Sequence, residues 1–338
     1  VTYIYENYGI YTAVNNLMAR YGMLIDGVWT PNVNYNDPRH REAILETIRE
    51  TAETYRDTPG VLMYLLGNEN NYGLHWTSFE IEALPGQEWD AKAVHLYTLW
   101  GEAAALIDEI DPFRPTTIVN GDIQYLDLIV EHCEAVDIIG TNVYRGQSVG
   151  DLYQRVLDEA GTPVVYTEFG ADAYNARDER EADVEQAEYL YDQWREIYEQ
   201  SHGHGGVGNA LGGIVFQWSD GWWKYLQEED LDVHNTNASW PNGGYWRDFD
   251  EGQNNMNEEW FGITAKDPPD ESGFFTVRPR TAYWMLQALW QLDPYGEGVT
   301  REVIEQHWAS DRPLRYATRY QAARAVGELG ELRRVRVS

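Results

Sequence analysis

Two glutamates stand where a fold can do chemistry. In Val61-Leu-Met-Tyr-Leu-Leu-Gly-Asn-Glu69 six apolar residues run straight into Gly67-Asn68-Glu69. A continuous apolar run of that length, bounded by Pro59-Gly60 and by polar residues, predicts a strand buried on both faces. The pattern recurs at Pro163-Val-Val-Tyr-Thr-Glu168, a second short apolar strand ending in a glutamate. In parallel α/β folds, ligands bind beyond the C-terminal ends of the strands. Two carboxylates placed there can divide the work of proton transfer and nucleophilic attack, because neighbouring acids resist sharing negative charge. A lone glutamate after a strand is more often a helix cap or a surface ion pair. Repetition at a second strand end makes Glu69 and Glu168 a candidate catalytic pair.

The elements that must position them alternate regularly. Strands are expected at Ile10–Val14, Val61–Leu66, Pro115–Val119, Val136–Thr141, Val164–Thr167 and Leu211–Phe216. Helices are expected from Pro38 to Tyr55, with Asp37 as N-cap and proline at the first position, then over 90–110, 123–132, 149–159, 180–200 and 280–292. Strand–helix alternation of this kind predicts right-handed βα units and a parallel sheet. Every strand ends in polar or aromatic groups: Asn15, Asn68-Glu69, Asn120 and Asp122, Asn142 and Tyr144, Glu168, then Trp218 and Asp220. In a doubly wound sheet such groups gather at one switch point. Contribution from every strand is the pattern of a (β/α)8 TIM-type barrel. A loop is expected from Tyr21 through Trp29 to Asn34, another over 72–88, and a long Trp/Asn/Gly-rich loop over 221–278, the last read as a substrate wall. Residues 1–295 then form the barrel domain and 296–338 a charged helical tail.

Composition narrows the partners. The chain has 338 residues, enough for a core that needs no staples. Its single cysteine, Cys133, excludes an intrachain disulfide and a cysteine-based zinc cluster, yet is compatible with a secreted or periplasmic protein. No apolar run approaches the roughly 18 residues of a membrane span. Lys+Arg total 25 against Asp+Glu 56, a formal net charge of −31. Such a surface repels nucleic acid and anionic membranes. Only Lys92, Lys224 and Lys266 are lysines, and an acid-rich, lysine-poor surface fits a protein adapted to strong salt, where self-repulsion is screened. Aromatic residues make up 14%, many among Gly and Asn. Rings displayed among polar side chains suit sugars, whose C–H faces stack while their hydroxyls take hydrogen bonds. His202 and His204 sit in a glycine-rich loop without a third ligand, and the Asp/Asn-rich stretch 227–257 fits no calcium loop. No metal and no cofactor is expected.

The motifs around the two glutamates resemble those of the retaining β-glycosidases of the large (β/α)8 clan. The closest likeness is to the catalytic barrel of glycoside hydrolase family two, the β-galactosidase, β-glucuronidase and β-mannosidase family. Gly67-Asn68-Glu69 resembles that family's acid/base motif at the fourth strand. Thr167-Glu168-Phe169-Gly170-Ala171-Asp172 resembles its nucleophile motif at the seventh. Asn142-Val-Tyr144 is similar to the end of the sixth strand, and Trp218 to the tryptophan that closes the eighth. The likeness covers roughly residues 5–292. Aligned this way, Ile10–Val14 becomes the third strand, and the first two βα units are missing from this chain. The resemblance therefore implies a portion of a longer protein, or a barrel completed by another segment, because open strand edges are a liability.

The resemblance also implies roles. In a retaining glycosidase two carboxyl groups about 5–5.5 Å apart perform double displacement. Glu168 would attack the anomeric carbon, and Glu69 would protonate the leaving oxygen and then activate water. Tyr144 would orient Glu168, Asn68 would hold the sugar's 2-hydroxyl, and Trp218 would floor the sugar. Asn120, Asp122, Asn142, Asp172 and Tyr174 are rim candidates for other hydroxyls. The expected partner is a β-linked glycoside or oligosaccharide. A transglycosylase of the same fold and an inactive carbohydrate-binding relative stay open beside hydrolysis.

Overall fold

The computed structural model describes residues 1–31, 33–74, 89–224, 229, 234–238, 240–241, 254–326 and 335–336. The expected loop over 72–88 falls almost wholly outside these residues. So do Trp246 and most of the Asp/Asn-rich stretch 227–257. The chain divides into two units: residues 1–143 with 151–167, and residues 144–150 with 168–338.

The first unit is built on parallel strands. β1 (Thr12–Asn16) pairs with β4 (Val61–Leu66), which pairs with β5 (Thr116–Ile118). A bridge from Thr117 to Ile138 and the pairing of β6 (Asn120–Gly121) with β7 (Ile139–Asn142) continue the run, both parallel. β8 (Val164–Phe169) lies beside β7. Side chains alternate across a strand, and one face gathers Met63, Leu65, Val119, Ile138 and Val165 into a buried cluster with Ala13 against it. The other face carries Tyr64, whose hydroxyl donates to Asp111 Oδ2 at 2.9 Å. Apolar runs this short and this buried, at roughly 1.5–3 kcal/mol per large side chain, explain why β4 needs no alternation in sequence.

Helices flank the strands. α1 spans Thr2–Tyr8. α2 (Pro38–Tyr55) starts where Asp37 accepts from the Arg39 amide, and it buries Ile44, Ile48 and Ala52 at helical spacing. The one-turn α3 (Asn70–Gly73) follows β4, and α4 spans Trp89–Ile110. Along α4, Leu96, Tyr97, Leu99, Trp100, Ala103 and Ile107 are buried, while Val94, Leu106 and Ile110 are half-buried. α5 (Leu126–His132) and α6 (Leu152–Ala160) complete this unit.

The first strand is displaced from Ile10–Val14. Ile10 and Tyr11 are exposed, and Asn15 and Asn16 lie inside the ladder opposite Leu65 and Leu66. The loop expected through Tyr21 and Trp29 contains a hairpin, β2 (Met23–Ile25) with β3 (Val28–Thr30). Its two-residue turn is Asp26-Gly27, with φ of 51° and 77°. This is the Asp-Gly pairing that favours positive φ at both positions and matches strand twist.

In the second unit, Phe216 N–H donates to the Phe169 carbonyl at 2.8 Å, which sets the strand β11 (Ala210–Val215) beside the end of β8. Short strands β9 (Tyr174–Asn175) and β10 (Arg180–Glu181) pair antiparallel, so the helix expected from 180 begins only at Asp183. That helix, α7 (Asp183–Gln200), buries Tyr189, Leu190, Tyr191, Trp194, Ile197 and Tyr198. The long loop is partly ordered: Thr264–Lys266 and Val277–Pro279 form an antiparallel ladder. α8 (Thr281–Leu289) buries Met285, Leu286 and Leu289, and Trp290 just after it is 44% exposed. In the C-terminal region, α9 (Arg301–Ser310) and α10 (Leu314–Val326) pack within this unit. Trp308 is buried, its carbonyl accepts from the Tyr191 hydroxyl at 2.7 Å, and its ring meets Tyr191 and Tyr198 edge-on.

The class is mixed α/β, as the alternation predicts. Among the described residues the ladders remain open and no ring of strands closes, so the barrel stays an expectation. No helix among them is long and apolar enough to cross a membrane.

Candidate functional site

The stretch that carries Glu69 is fixed atom by atom within the first unit. Gly67 closes β4 with φ 78° and donates to the Asn16 carbonyl at 2.8 Å. A Cβ here would stand 2.6 Å from both Asn70 Oδ1 and the Trp100 ring, so only glycine fits. The next peptide group is held at both ends. Its carbonyl, on Asn68, accepts from Arg20 Nε at 2.7 Å, and its amide, on Glu69, donates to the Val119 carbonyl at 2.8 Å. Glu69 itself has φ 55° and ψ 32°, a left-handed conformation rare outside glycine and asparagine. Such backbone persists only where its surroundings dictate it, and it occurs often at functional sites.

Three asparagines hold this turn. Asn70 is buried; its Oδ1 accepts from the Asn68 amide at 2.8 Å and its Nδ2 donates to the Tyr35 hydroxyl at 2.9 Å. Asn71 is fully buried and brackets Gly121, accepting from its amide at 2.8 Å and donating to its carbonyl at 3.0 Å. It thereby joins the end of β4 to β6 as a strand would. Asn142, at the end of β7, accepts from the Thr167 hydroxyl at 2.7 Å and donates to Asn68 Oδ1 at 3.0 Å. This relay orients the Asn68 carboxamide. Its oxygen is turned to Asn142, and its nitrogen is the donor end, 3.5 Å from the Tyr21 hydroxyl.

Asn120 and Asp122 take different places. Asn120 is wholly buried, accepting from the Tyr97 hydroxyl at 2.7 Å and donating to the carbonyls of Asp122 and Gln124. Burial holds the Tyr97 phenol well above its ordinary pKa, so it stays a donor. Asp122 is half-buried with φ 49°, and its Oδ1 accepts from the Ile123 amide. Asn120 thus shapes the loop on which Asp122 is displayed.

Glu168 belongs to the second unit. It lies inside β8 rather than beyond it, one residue from the strand's end, and it is half-buried. The Tyr144 hydroxyl donates to its Oε2 at 2.9 Å. Phe216 and Phe261 pack edge-on against the Tyr144 ring, at 6.5 and 5.8 Å. Gln193, buried on α7, donates to the carbonyls of Gly146 and Gly170, tying the Tyr144 loop to the segment after Glu168. The expected pairing of Tyr144 with Glu168 is thus present as one hydrogen bond to a carboxylate oxygen.

The other expected residues of this unit are spread more widely. Asp172 is buried and accepts from the amides of Tyr174 and Asn257, at 3.4 and 3.0 Å. Tyr174 is buried and stacks on Trp260, centroids 5.1 Å apart. Trp218 is 64% exposed and meets Tyr283 edge-on, so a broad ring surface remains open to a ligand. Two residues further along the chain, Asp220 forms a fully buried ion pair with Arg280. Arg280 donates to Asp220 Oδ1 at 2.6 Å and to Oδ2 at 2.8 Å, and also to the Gly262 carbonyl and to Glu181. Burial alone would raise the Asp220 carboxyl, but Arg280 and the nearby His234 outweigh it and hold it below its ordinary value.

Arg20, Asn70, Asn71 and Arg280 were not expected from sequence. The run Asn68-Glu-Asn-Asn71 carries a visible signal, since consecutive asparagines after a buried strand must find partners. Arg20 and Arg280 carry none, because their partners are 48 and 60 residues away. Burial draws the Arg20 guanidinium down from its ordinary value, against the attraction of Tyr21, Glu69 and Tyr35, which places a cation within electrostatic reach of Glu69. Among the described residues no group of three or more His, Cys, Asp or Glu is arranged to hold a metal ion.

No family model and no curated protein matches the sequence. The fold does match solved structures of glycoside hydrolases. Bacteroides uniformis β-glucuronidase 2, covalently bound to cyclophellitol-6-carboxylate aziridine, is similar at a TM-score of 0.52 and 15% identity, over 86% of this chain and 29% of that one. The β-D-glucuronidase of Dictyoglomus thermophilum is similar at 0.48 and 15% identity, over 88% and 43%. A GH2 β-galacturonidase from Eisenbergiella tayi bound to galacturonate gives 0.42 and 17%, over 81% and 38%. In each case this chain spans less than half the length of the solved protein. The likeness to the first is one of fold.

Proposed function

We propose that this chain is the strand-three-to-eight portion of a (β/α)8 glycosidase barrel that hydrolyses β-linked glycosides with retention. In this reading residues 1–295 belong to the barrel and 296–338 are a helical extension. Glu168 is the nucleophile and Glu69 the acid/base. The observation that carries the reading is the Tyr144 hydroxyl on Glu168 Oε2 at 2.9 Å. A phenol donating to one carboxylate oxygen fixes its direction, which is what an attacking carboxylate needs.

The steps follow from the residues. Glu168 attacks the anomeric carbon as Glu69 gives its proton to the leaving oxygen. Glu69, now ionised, takes a proton from water, and that water releases the sugar from Glu168. The Asn68 amide nitrogen, oriented by the relay from Thr167 through Asn142, donates to the sugar's 2-hydroxyl. Trp218 offers its exposed ring to the sugar's C–H face.

The test is covalent trapping. A panel of 2-deoxy-2-fluoro β-glycosides with activated leaving groups, chosen after a nitrophenyl β-glycoside screen at molar salt, should label one peptide, that of Glu168, and Glu168→Gln should abolish the label. Correctly folded protein that neither turns over nor labels with any member overturns the proposal.

A further inference from the structure

We propose that the turn at Arg20–Tyr21 and the hairpin β2–β3 form a binding platform for the departing sugar, on the Glu69 side of the reaction. The proposal deepens the glycosidase reading and rests on it. An acid that protonates the leaving oxygen faces the leaving group, so the surface continuous with Glu69 is where the departing sugar lies.

Three observations make that surface a platform. The first is attachment. Arg20 holds the Asn68 carbonyl at 2.7 Å, and the Tyr21 hydroxyl lies 3.5 Å from Asn68 Nδ2, so the turn is tied to the peptide that carries Glu69. The second is exposure. Tyr21 is 59% and Trp29 58% exposed, and Leu24, directly opposite Trp29 in the ladder, is 63% exposed. In a chain of net charge −31, an exposed aromatic and apolar patch tied to the Asn68–Glu69 peptide marks a binding surface. The third is construction. Gly22 has φ 93°, and a Cβ on it would stand 2.8 Å from Trp29 Cζ2, Thr30 O and Pro31 Cα. The Trp29 ring therefore rests on the backbone next to Tyr21, and only glycine lets it lie there. Two exposed rings, Tyr21 just before the hairpin and Trp29 on it, can offer their faces to the C–H faces of a sugar.

The experiment compares two substrates with the same reacting sugar, taken from the nitrophenyl screen: its β-glycosyl fluoride, whose leaving group is a single atom, and its β-linked trisaccharide. Trp29→Ala is expected to lower kcat/KM on the trisaccharide about tenfold more than on the fluoride, the equivalent of one ring–sugar stack, and Trp29→Phe to restore most of it. Equal losses on both substrates, or none, overturn the platform. A second arm needs no turnover. Glu168→Gln protein is titrated with cellotetraose, mannotetraose and galactotetraose while tryptophan fluorescence is followed, with and without Trp29→Ala. Saturable binding weakened by Trp29→Ala supports the platform, and binding by none of the three, or binding indifferent to Trp29, overturns it. Labelled Glu168 with no Trp29 effect leaves hydrolysis standing and removes the platform. Trp29-dependent binding without label removes hydrolysis and with it the departing-sugar role, leaving only a sugar-binding face at the hairpin.

Discussion

Replacing Arg280 with methionine should cost the second unit roughly 3–5 kcal/mol, the usual penalty for leaving one member of a buried ion pair alone. Arg280 is fully buried, gives two short bonds to Asp220, and holds the Gly262 carbonyl and Glu181 as well. Glu181 also accepts from the Tyr320 hydroxyl at 2.5 Å, so the loss would reach α10. The pH dependence sharpens the expectation. In the parent the folded Asp220 sits below its ordinary value, so its stabilisation is present above the unfolded value of about 3.9 and fades as pH falls through the lower, folded one. In Arg280→Met, His234 is left to oppose the burial that raises the same carboxyl. The folded value then lies above the parent's, and the variant's penalty, full at neutral pH, shrinks as acid protonates Asp220. Urea unfolding of parent, Arg280→Met and Arg280→Lys at pH 7 and pH 5 measures this, with the lysine variant intermediate. A penalty below about 1 kcal/mol at pH 7, or one that grows on acidification, refutes the reasoning.

Other outcomes follow from the same geometry. Tyr144→Phe removes one hydrogen bond to a charged oxygen, worth about 1.5–3 kcal/mol, so kcat should fall roughly 10- to 100-fold with the fold unchanged by circular dichroism; an unaltered rate removes Tyr144 from its proposed role. Gly67→Ala combines a left-handed backbone with contact on Trp100 and Asn70 and should lose about 2–4 kcal/mol of stability, read as a lower urea midpoint. Raising sodium chloride from low to molar concentration should lift the melting midpoint by several degrees, roughly, as the charge of −31 is screened; a flat response sets salt adaptation aside.

Legibility in this chain follows the range of the interaction. β4 could be read because its burial is written into six consecutive residues, and α2 because Asp37-Pro38 and the spacing of Ile44, Ile48 and Ala52 lie within one helix. Errors of two residues at β1 arose because Asn15 and Asn16 have no β preference and are held by a ladder to Leu65 and Leu66, which no local pattern encodes. The hairpin was legible in principle: Asp26-Gly27 stands between two apolar-rich runs. Its cross-strand pairing, Leu24 opposite Trp29, leaves both side chains exposed, so the in–out alternation that marks a half-buried strand is weak there.

Interaction range also separates Glu168 from Glu69. Glu168 and Tyr144 are 24 residues apart and at the ends of successive strands, so their meeting follows from the order of βα units alone. What holds Glu69 does not. Its peptide is clamped by Arg20 from 48 residues upstream and by a strand that arrives 50 residues downstream, and both are side-chain or backbone choices made by the folded sheet. A candidate carboxylate can therefore be located from its own strand, whereas the groups that clamp its backbone become visible only once the strands are paired. Arg20 illustrates the consequence: it enters the site through the Asn68 carbonyl, and the same turn carries Tyr21 and leads into the hairpin of Trp29. In the proposed reading, positioning of the acid and recognition of what it protonates are thus fastened to one short segment, and a substitution there should move both together.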